Sequence, residues 1–165
     1  RVTGYTQTVF GVGNPFASLM FIGEAPGAEE DRIGIPFVGD AGKKLDEIIS
    51  AMGMQRDDVY IANVLKSRPP NNRTPTPEEI RNCAPFLTQQ VAIVQPKVIV
   101  ALGSPAAKFL LQTSRGITQL RGSWGTFEGI SVMPTFHPAY LLRNYTKEIR
   151  AQMWSDMQQV MEKLR

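Results

Sequence analysis

Four short, almost uninterrupted apolar runs constrain this chain more than any other feature: Ser18–Ile22, Val59–Leu65, Lys97–Leu102 and Ile130–Phe136. None shows the apolar–polar alternation of a strand with one wet face. Runs of this kind are what strands of a parallel sheet look like when helices cover both faces. The segments between them carry helical patterns. Leu45, Ile48, Ile49 and Met52 follow helical spacing from an opening near Asp40, and Gly53 supplies the stop. Thr76-Pro77-Glu78-Glu79 reads as a capping box with proline at the first helical position. That helix runs towards Val94, with a kink predicted at Pro85. Gly103-Ser104-Pro105 repeats the turn, cap and proline grammar before Ala106–Leu111. Lys147–Leu164 closes the chain with Ile149, Met153, Met157, Val160 and Leu164 on one face. Strand and helix alternate, which predicts an α/β fold with a parallel sheet between helical layers. Thr6–Gly13 reads as an edge strand or extended arm, residues 113–129 as irregular, and 138–143 as a loop or short turn. There are no repeats or low-complexity linkers, so residues 1–165 are read as one domain, a length that suits a single core.

The 42% of hydrophobic residues is a globular composition. No apolar run reaches the length of a membrane span, and no signal peptide is visible at the start, which is Arg1 rather than methionine. The single cysteine, Cys83, excludes an internal disulfide and fits a reducing compartment. Charge is unevenly spread. Residues 1–64 hold 5 basic and 9 acidic side chains, whereas 65–165 hold 13 and 6. That asymmetry points to a polyanionic partner on the later part of the chain.

In a parallel sheet the strand ends at Gly23, Asn63, Gly103 and His137 share one rim, where open α/β folds bind their ligands. The loop leaving the first strand, Gly23–Gly39 (GEAPGAEEDRIGIPFVG), carries four glycines, four acids and one aromatic, Phe37. Asn63 interrupts a buried run, and a buried amide must find partners or cost a few kcal/mol. His137, the only histidine, sits at the last strand end. One Cys and one His cannot supply a zinc site. Neither a P-loop nor a GxGxxG fingerprint is present, and no Ser or Cys lies in a nucleophile motif.

Three long segments, GEAPGAEEDRIGIPFVGDAG, YIANVLKSRPPNNRTPTPEEI and TFHPAYLLR, resemble in order and spacing the family 4 uracil-DNA glycosylases, and residues 8–160 can be followed against that pattern. The resemblance implies a three-layer αβα sandwich around a four-stranded parallel sheet. It implies hydrolysis of the N-glycosidic bond of deoxyuridine in DNA, with the base flipped into a pocket to start base excision repair. Phe37 matches the aromatic that stacks on the flipped base, and Asn63 the amide that reads uracil's edge. His137 matches the donor to uracil O2, where charge develops as the bond breaks. Glu24 and the backbone of Gly23, Ala25 and Gly27 line the sugar and uracil side, and Glu30 or Asp31 is a candidate for positioning water. Ala25 and Gly27 replace an aspartate and a tyrosine of the best-known uracil-DNA glycosylases, as they do across family 4. The DNA grip maps onto Arg68 and Arg73, onto Ser104 at a helix N-terminus, and onto Tyr140, Leu141 and Arg143. Tyr140 or Leu141 would wedge into the gap left by the base, and Arg143 would touch phosphate.

The family usually holds a four-iron cluster on four cysteines. Here Ser67 stands at one ligand position and only Cys83 matches another, so the cluster is expected to be absent. The implied partner is uracil-containing DNA, bound by a monomer in the cytoplasm at the nucleoid, without a membrane. Two alternatives remain at this level: an inactive DNA-binding module on the same fold, or a glycosylase for hypoxanthine or xanthine.

Overall fold

The computed structural model describes residues 6–165. Six strands form one sheet: β1 (Val12–Gly13), β2 (Leu19–Gly23), β3 (Tyr60–Asn63), β4 (Val98–Leu102), β5 (Gly125–Phe127) and β6 (Ile130–Thr135), in the order β1-β3-β2-β4-β6-β5. The four central strands run parallel, as the apolar runs require, and the two edges are antiparallel. The expected four-stranded parallel sheet is therefore the core of a six-stranded one. The extra edge strand β5 comes from the stretch read as irregular; Phe127 and Ile130 pair across a tight turn there.

Successive residues of the central strands feed two separate cores. Leu19, Phe21, Ile61, Val98, Val100 and Met133 face one side, with Leu45 and Ile49 of α2 (Asp40–Ala51) and Met153, Met157 and Val160 of α7 (Lys147–Leu164). Met20, Ile22, Ala62, Ile99, Ala101 and Val132 face the other, with Leu87 and Val91 of α3 (Pro77–Val94) and Ala107 and Leu110 of α4 (Ser104–Leu111). Period-two alternation splits each apolar run between two helical layers, which is why the runs show no polar face. This is the expected αβα sandwich. Residues Leu19 to Ile22 are fully buried, each such burial being worth about 1.5–3 kcal/mol.

Local details depart from the sequence reading in four places. The loop after β2 contains a short helix, α1 (Ala28–Ile33), and residues 117–120 form a helical turn, α5 (Ile117–Leu120). The 138–143 segment is helical, α6 (Pro138–Arg143), because His137 caps it and Pro138 opens it. Ser104 is the first residue of α4 rather than its cap, a position taken by Gly103. Helix α3 runs from its Thr76 capping box to Val94 with the exposed Pro85 in its interior. No helix among the described residues is long and apolar enough to cross a membrane.

Candidate active site

Gly23 and Asn63 are paired in register at the carboxyl ends of β2 and β3. The pairing continues past the strands, Val64 N–H donating to Gly23 O at 2.9 Å and Leu65 N–H to Glu24 O at 3.0 Å. Asn63 is 2% exposed, and its Oδ1 has no hydrogen-bond partner among the described residues. A buried amide oxygen left unpaired costs about 1–3 kcal/mol, so it needs an occupant that donates. The Asn63 backbone is held from behind. Lys66 Nζ, buried, donates to Asn63 O at 2.7 Å and to Phe10 O at 3.2 Å, and burial pushes the Lys66 ammonium down to about 7.

Phe37 stands against this amide in a left-handed backbone conformation, φ 54°. Two glycines make that placement sterically feasible. A Cβ on Gly23 would lie 2.6 Å from both Asn63 Oδ1 and Phe37 Cζ, and one on Gly42 would overlap the Phe37 carbonyl. The loop carrying Phe37 is tied by Glu30, whose carboxylate accepts from the N–H groups of Gly27 (3.1 Å), Val38 (2.8 Å) and Gly39 (2.8 Å). Arg56 adds a bond to Pro36 O. Left-handed backbone at a phenylalanine is strained, and such strain persists only where the surroundings over-determine it.

His137 follows β6, whose end is anchored by Thr135 Oγ1 donating to buried Asp156 at 2.6 Å; Arg121 pairs with the same carboxylate. The His137 ring stacks on Phe37 at a centroid distance of 5.5 Å. Its Nδ1 accepts the Ala139 N–H at 3.0 Å. An N–H can only donate, so Nδ1 carries no proton and the neutral ring bears its hydrogen on Nε2. Burial first and the Arg143 charge second push the imidazole down to about 4, against an opposing pull from Glu30. Near neutral pH this ring is an uncharged donor.

These groups line a cleft of about 580 Å³, together with Glu24, Ala25, Gly27, Glu30, Arg73, Ser104, Tyr140 and Arg143. Desolvation raises the half-buried Glu24 carboxyl above its ordinary value. The expected acids thus divide. Glu24 and Glu30 reach the cleft, Glu30 with both oxygens engaged by backbone. Asp31 does not reach it; its carboxylate is turned away, accepting from Thr6 N–H at 2.7 Å and Gln7 N–H at 3.3 Å. Among the expected DNA contacts, Ser104 Oγ accepts from Ile117 N–H, and Tyr140 stacks on Phe136 at 5.1 Å. Arg73 lies at the mouth in a bidentate pair with Glu79, and Arg68 is outside the cleft, bonded to Asn72 at 2.7 Å. Leu141 is 3% exposed and packed in the core, so it cannot serve as a wedge; the helical turn of α6 points it inward. Leu142, 45% exposed, takes the outward position. Gly42, Lys66 and Asp156 escaped the sequence reading, since small or buried support residues carry no local motif.

The resemblance places two of the four iron-cluster ligand positions within these residues, at Ser67 and Cys83. Cys83 Sγ accepts the Lys66 N–H at 3.4 Å, and the neighbouring ligand position is the hydroxyl of Ser67. Of these two positions only Cys83 offers a thiolate ligand, and the Ser67 hydroxyl is a poor ligand for iron in such a cluster.

The family model for the uracil DNA glycosylase superfamily matches residues 10–158. A type-4 uracil-DNA glycosylase of Thermotoga maritima is 49% identical over 93% of this chain and 81% of its own length. One of Archaeoglobus fulgidus is 43% identical over 95% and 82%. Similarity to a type-5 uracil-DNA glycosylase of Pyrobaculum aerophilum is lower, 33% identity over 78% of this chain and 64% of that one.

Proposed function

The chain belongs to the uracil DNA glycosylase superfamily, and on that premise we propose that the cleft between the ends of β2, β3 and β6 is where it removes uracil from DNA. The activity is that of a uracil-DNA glycosylase, a glycosidic hydrolase of base excision repair. The observation that carries the site assignment is the unpartnered, buried Oδ1 of Asn63 in a cleft whose other walls are an aromatic ring and a neutral imidazole.

In this reading the flipped base lies against Phe37. Asn63 Oδ1 accepts uracil N3–H and the amide nitrogen donates to O4; cytosine presents the reverse pattern and leaves both groups unpaired. The C1′–N1 bond breaks with its electron pair departing on the base, and charge accumulates at O2. His137 Nε2–H donates there from a site where water is largely displaced, so the interaction strengthens as charge builds. A donor that is neutral beforehand adds no positive charge to repel the developing sugar cation. Water adds to C1′, passing its proton to the Glu24 carboxylate, whose raised affinity for protons suits it as base. Glu30 keeps the Phe37 loop in place instead of touching water. Phosphates fall to Arg143, Arg73 and the α4 start at Ser104.

The donor set around Ser67 and Cys83 supports a reading without the iron cluster, the space behind Asn63 being tied by Lys66. Residues 1–165 act as one unit, as a monomer, at the cytoplasmic nucleoid, the basic later half favouring contact with DNA.

The test is an end-labelled strand bearing one deoxyuridine, incubated with the protein and treated with hot alkali. Cleavage at that position, lost in Asn63→Ala, is expected. Salt-sensitive binding without cleavage would overturn the reading in favour of an inactive DNA-binding module. Strands bearing hypoxanthine or xanthine test the wider base range.

A further inference from the structure

Beyond the cleft, at the far end of α6, lies a cluster that the excision chemistry leaves unused. Tyr145, in the link between α6 and α7, is 59% exposed. Two cations stand over its ring, Lys44 Nζ at 4.9 Å and the Arg150 guanidinium at 4.5 Å from the centroid. Beside it opens a recess of about 170 Å³, floored by Leu141, Met153 and Met157 and edged by Trp154, which is 38% exposed. Two exposed aromatics and an apolar floor at one place are more than solvent contact explains.

Charge and continuity say what fits there. Arg143, Lys147 and Arg150 are exposed and form no ion pair among the described residues, whereas Lys44 is paired with Glu47 at 2.6 Å and Glu148 is the other acid nearby. The recess lies near the cleft along the chain. Arg143 and Ala41 line the cleft; Tyr145, just past α6, and Lys44, on the α2 helix packed against α6, follow them by two and three residues. A strand whose phosphate meets Arg143 has Tyr145 within reach, two residues further along the chain. Bases offer a π-face to an aromatic platform whatever their identity, and a base stacking on Tyr145 displaces the long side chains of Lys44 and Arg150 from the ring face, freeing them to take the phosphates.

We propose that the Tyr145–Arg150 patch is a second nucleobase station for the same DNA strand, stacking an unflipped base while Arg150 and Lys147 hold the phosphates beside it. The inference rests on the uracil-excision reading for the strand's presence in the cleft. Helix α6, six residues long, spans about 9 Å. At roughly 3.4 Å per nucleotide that separates the station from the flipped position by two or three nucleotides.

The experiment is a length series of single strands with one central deoxyuridine, extended one nucleotide at a time on either side, with binding read by fluorescence anisotropy. Affinity is expected to rise by roughly tenfold when the second to fourth nucleotide is added on one side only. Tyr145→Ala should remove that step, Tyr145→Phe should keep it, and Arg150→Gln should lower the salt dependence of log Kd by about one. Equal melting temperatures of the variants exclude unfolding as the cause. A smooth rise with no step, a step that survives Tyr145→Ala, or one lost equally in Tyr145→Phe overturns the proposal. The binding readout needs no catalysis. Absent excision with an intact step would sink the activity reading alone, and normal excision without a step would sink only this one.

Discussion

His137 offers the most direct quantitative test, because it is the sole histidine of the chain and its titration needs no assignment. The folded ring is held down to about 4 by burial and by Arg143, against 6.5 for an unperturbed imidazole. Between those two values the unfolded chain binds a proton that the native ring refuses. Native stability therefore falls as the pH drops from 6.5 towards 4, and this group alone accounts for about 3 kcal/mol across that window, at about 1.4 kcal/mol per pH unit of separation. Above 6.5 the ring is neutral in both states and contributes no slope. His137→Gln cannot titrate, so the difference in urea-unfolding free energy between wild type and variant should be flat above pH 6.5 and change by about 3 kcal/mol between 6.5 and 4. The offset from the lost Ala139 cap is constant and cancels from the slope. Histidine-selective NMR supplies a second readout, with the proton on Nε2 at neutral pH. A folded-state pKa at or above 6.5, or a proton on Nδ1, would refute the argument and with it the neutral-donor role. A chain unfolding in parallel with its variant down to pH 4 would do the same.

Two contrasts follow from the division of the acids and from the glycines. Glu24→Gln should lower single-turnover excision by about 10²–10³-fold with binding nearly kept, whereas Asp31→Asn should leave turnover within a few-fold and cost about 1–3 kcal/mol in unfolding by weakening the Thr6 and Gln7 bonds; equal kinetic losses would reverse the assignment. Gly42→Ala should lower the melting temperature and reduce excision by more than tenfold, since its Cβ overlaps the Phe37 carbonyl, and wild-type kinetics in that variant would show that Phe37 need not be fixed.

The layers and the rim were legible because they rest on periodicity and chain order. Uniform apolar runs announced strands buried on both faces, and the strand ends placed Gly23, Asn63 and His137 together although they are far apart in sequence. The edge strand β5 was not legible: three residues with one buried side chain, Phe127, give no period to read. Helix α6 was missed because its start depends on a histidine side chain acting as cap, a role that Ser, Thr, Asn and Asp usually fill. Within the site, sequence could name the acids of the first loop but not distribute them. Glu30 and Asp31 are adjacent, yet one faces the loop amides and the other the N-terminal arm, a difference set by which way α1 is rotated on the sheet. Leu141 and Leu142 are another adjacent pair whose inward and outward sense only the helix decides.

The order of strands in the sheet also bears on how the base-reading groups come into being. Strand β2 pairs with β3 and β4, and β6 joins only through β4. The Phe37 loop and Asn63 can associate once the first third of the chain has collapsed, but His137 arrives only after β4 is in place and the last crossover has closed. Every one of these pairings is non-local, so loop-closure entropy is spent before the contacts return it. During synthesis on the ribosome, a nascent chain ending before β6 presents the ring and the amide with no electrostatic partner for the departing base. Recognition and chemistry are thus assembled in sequence, and the catalytic half is completed last.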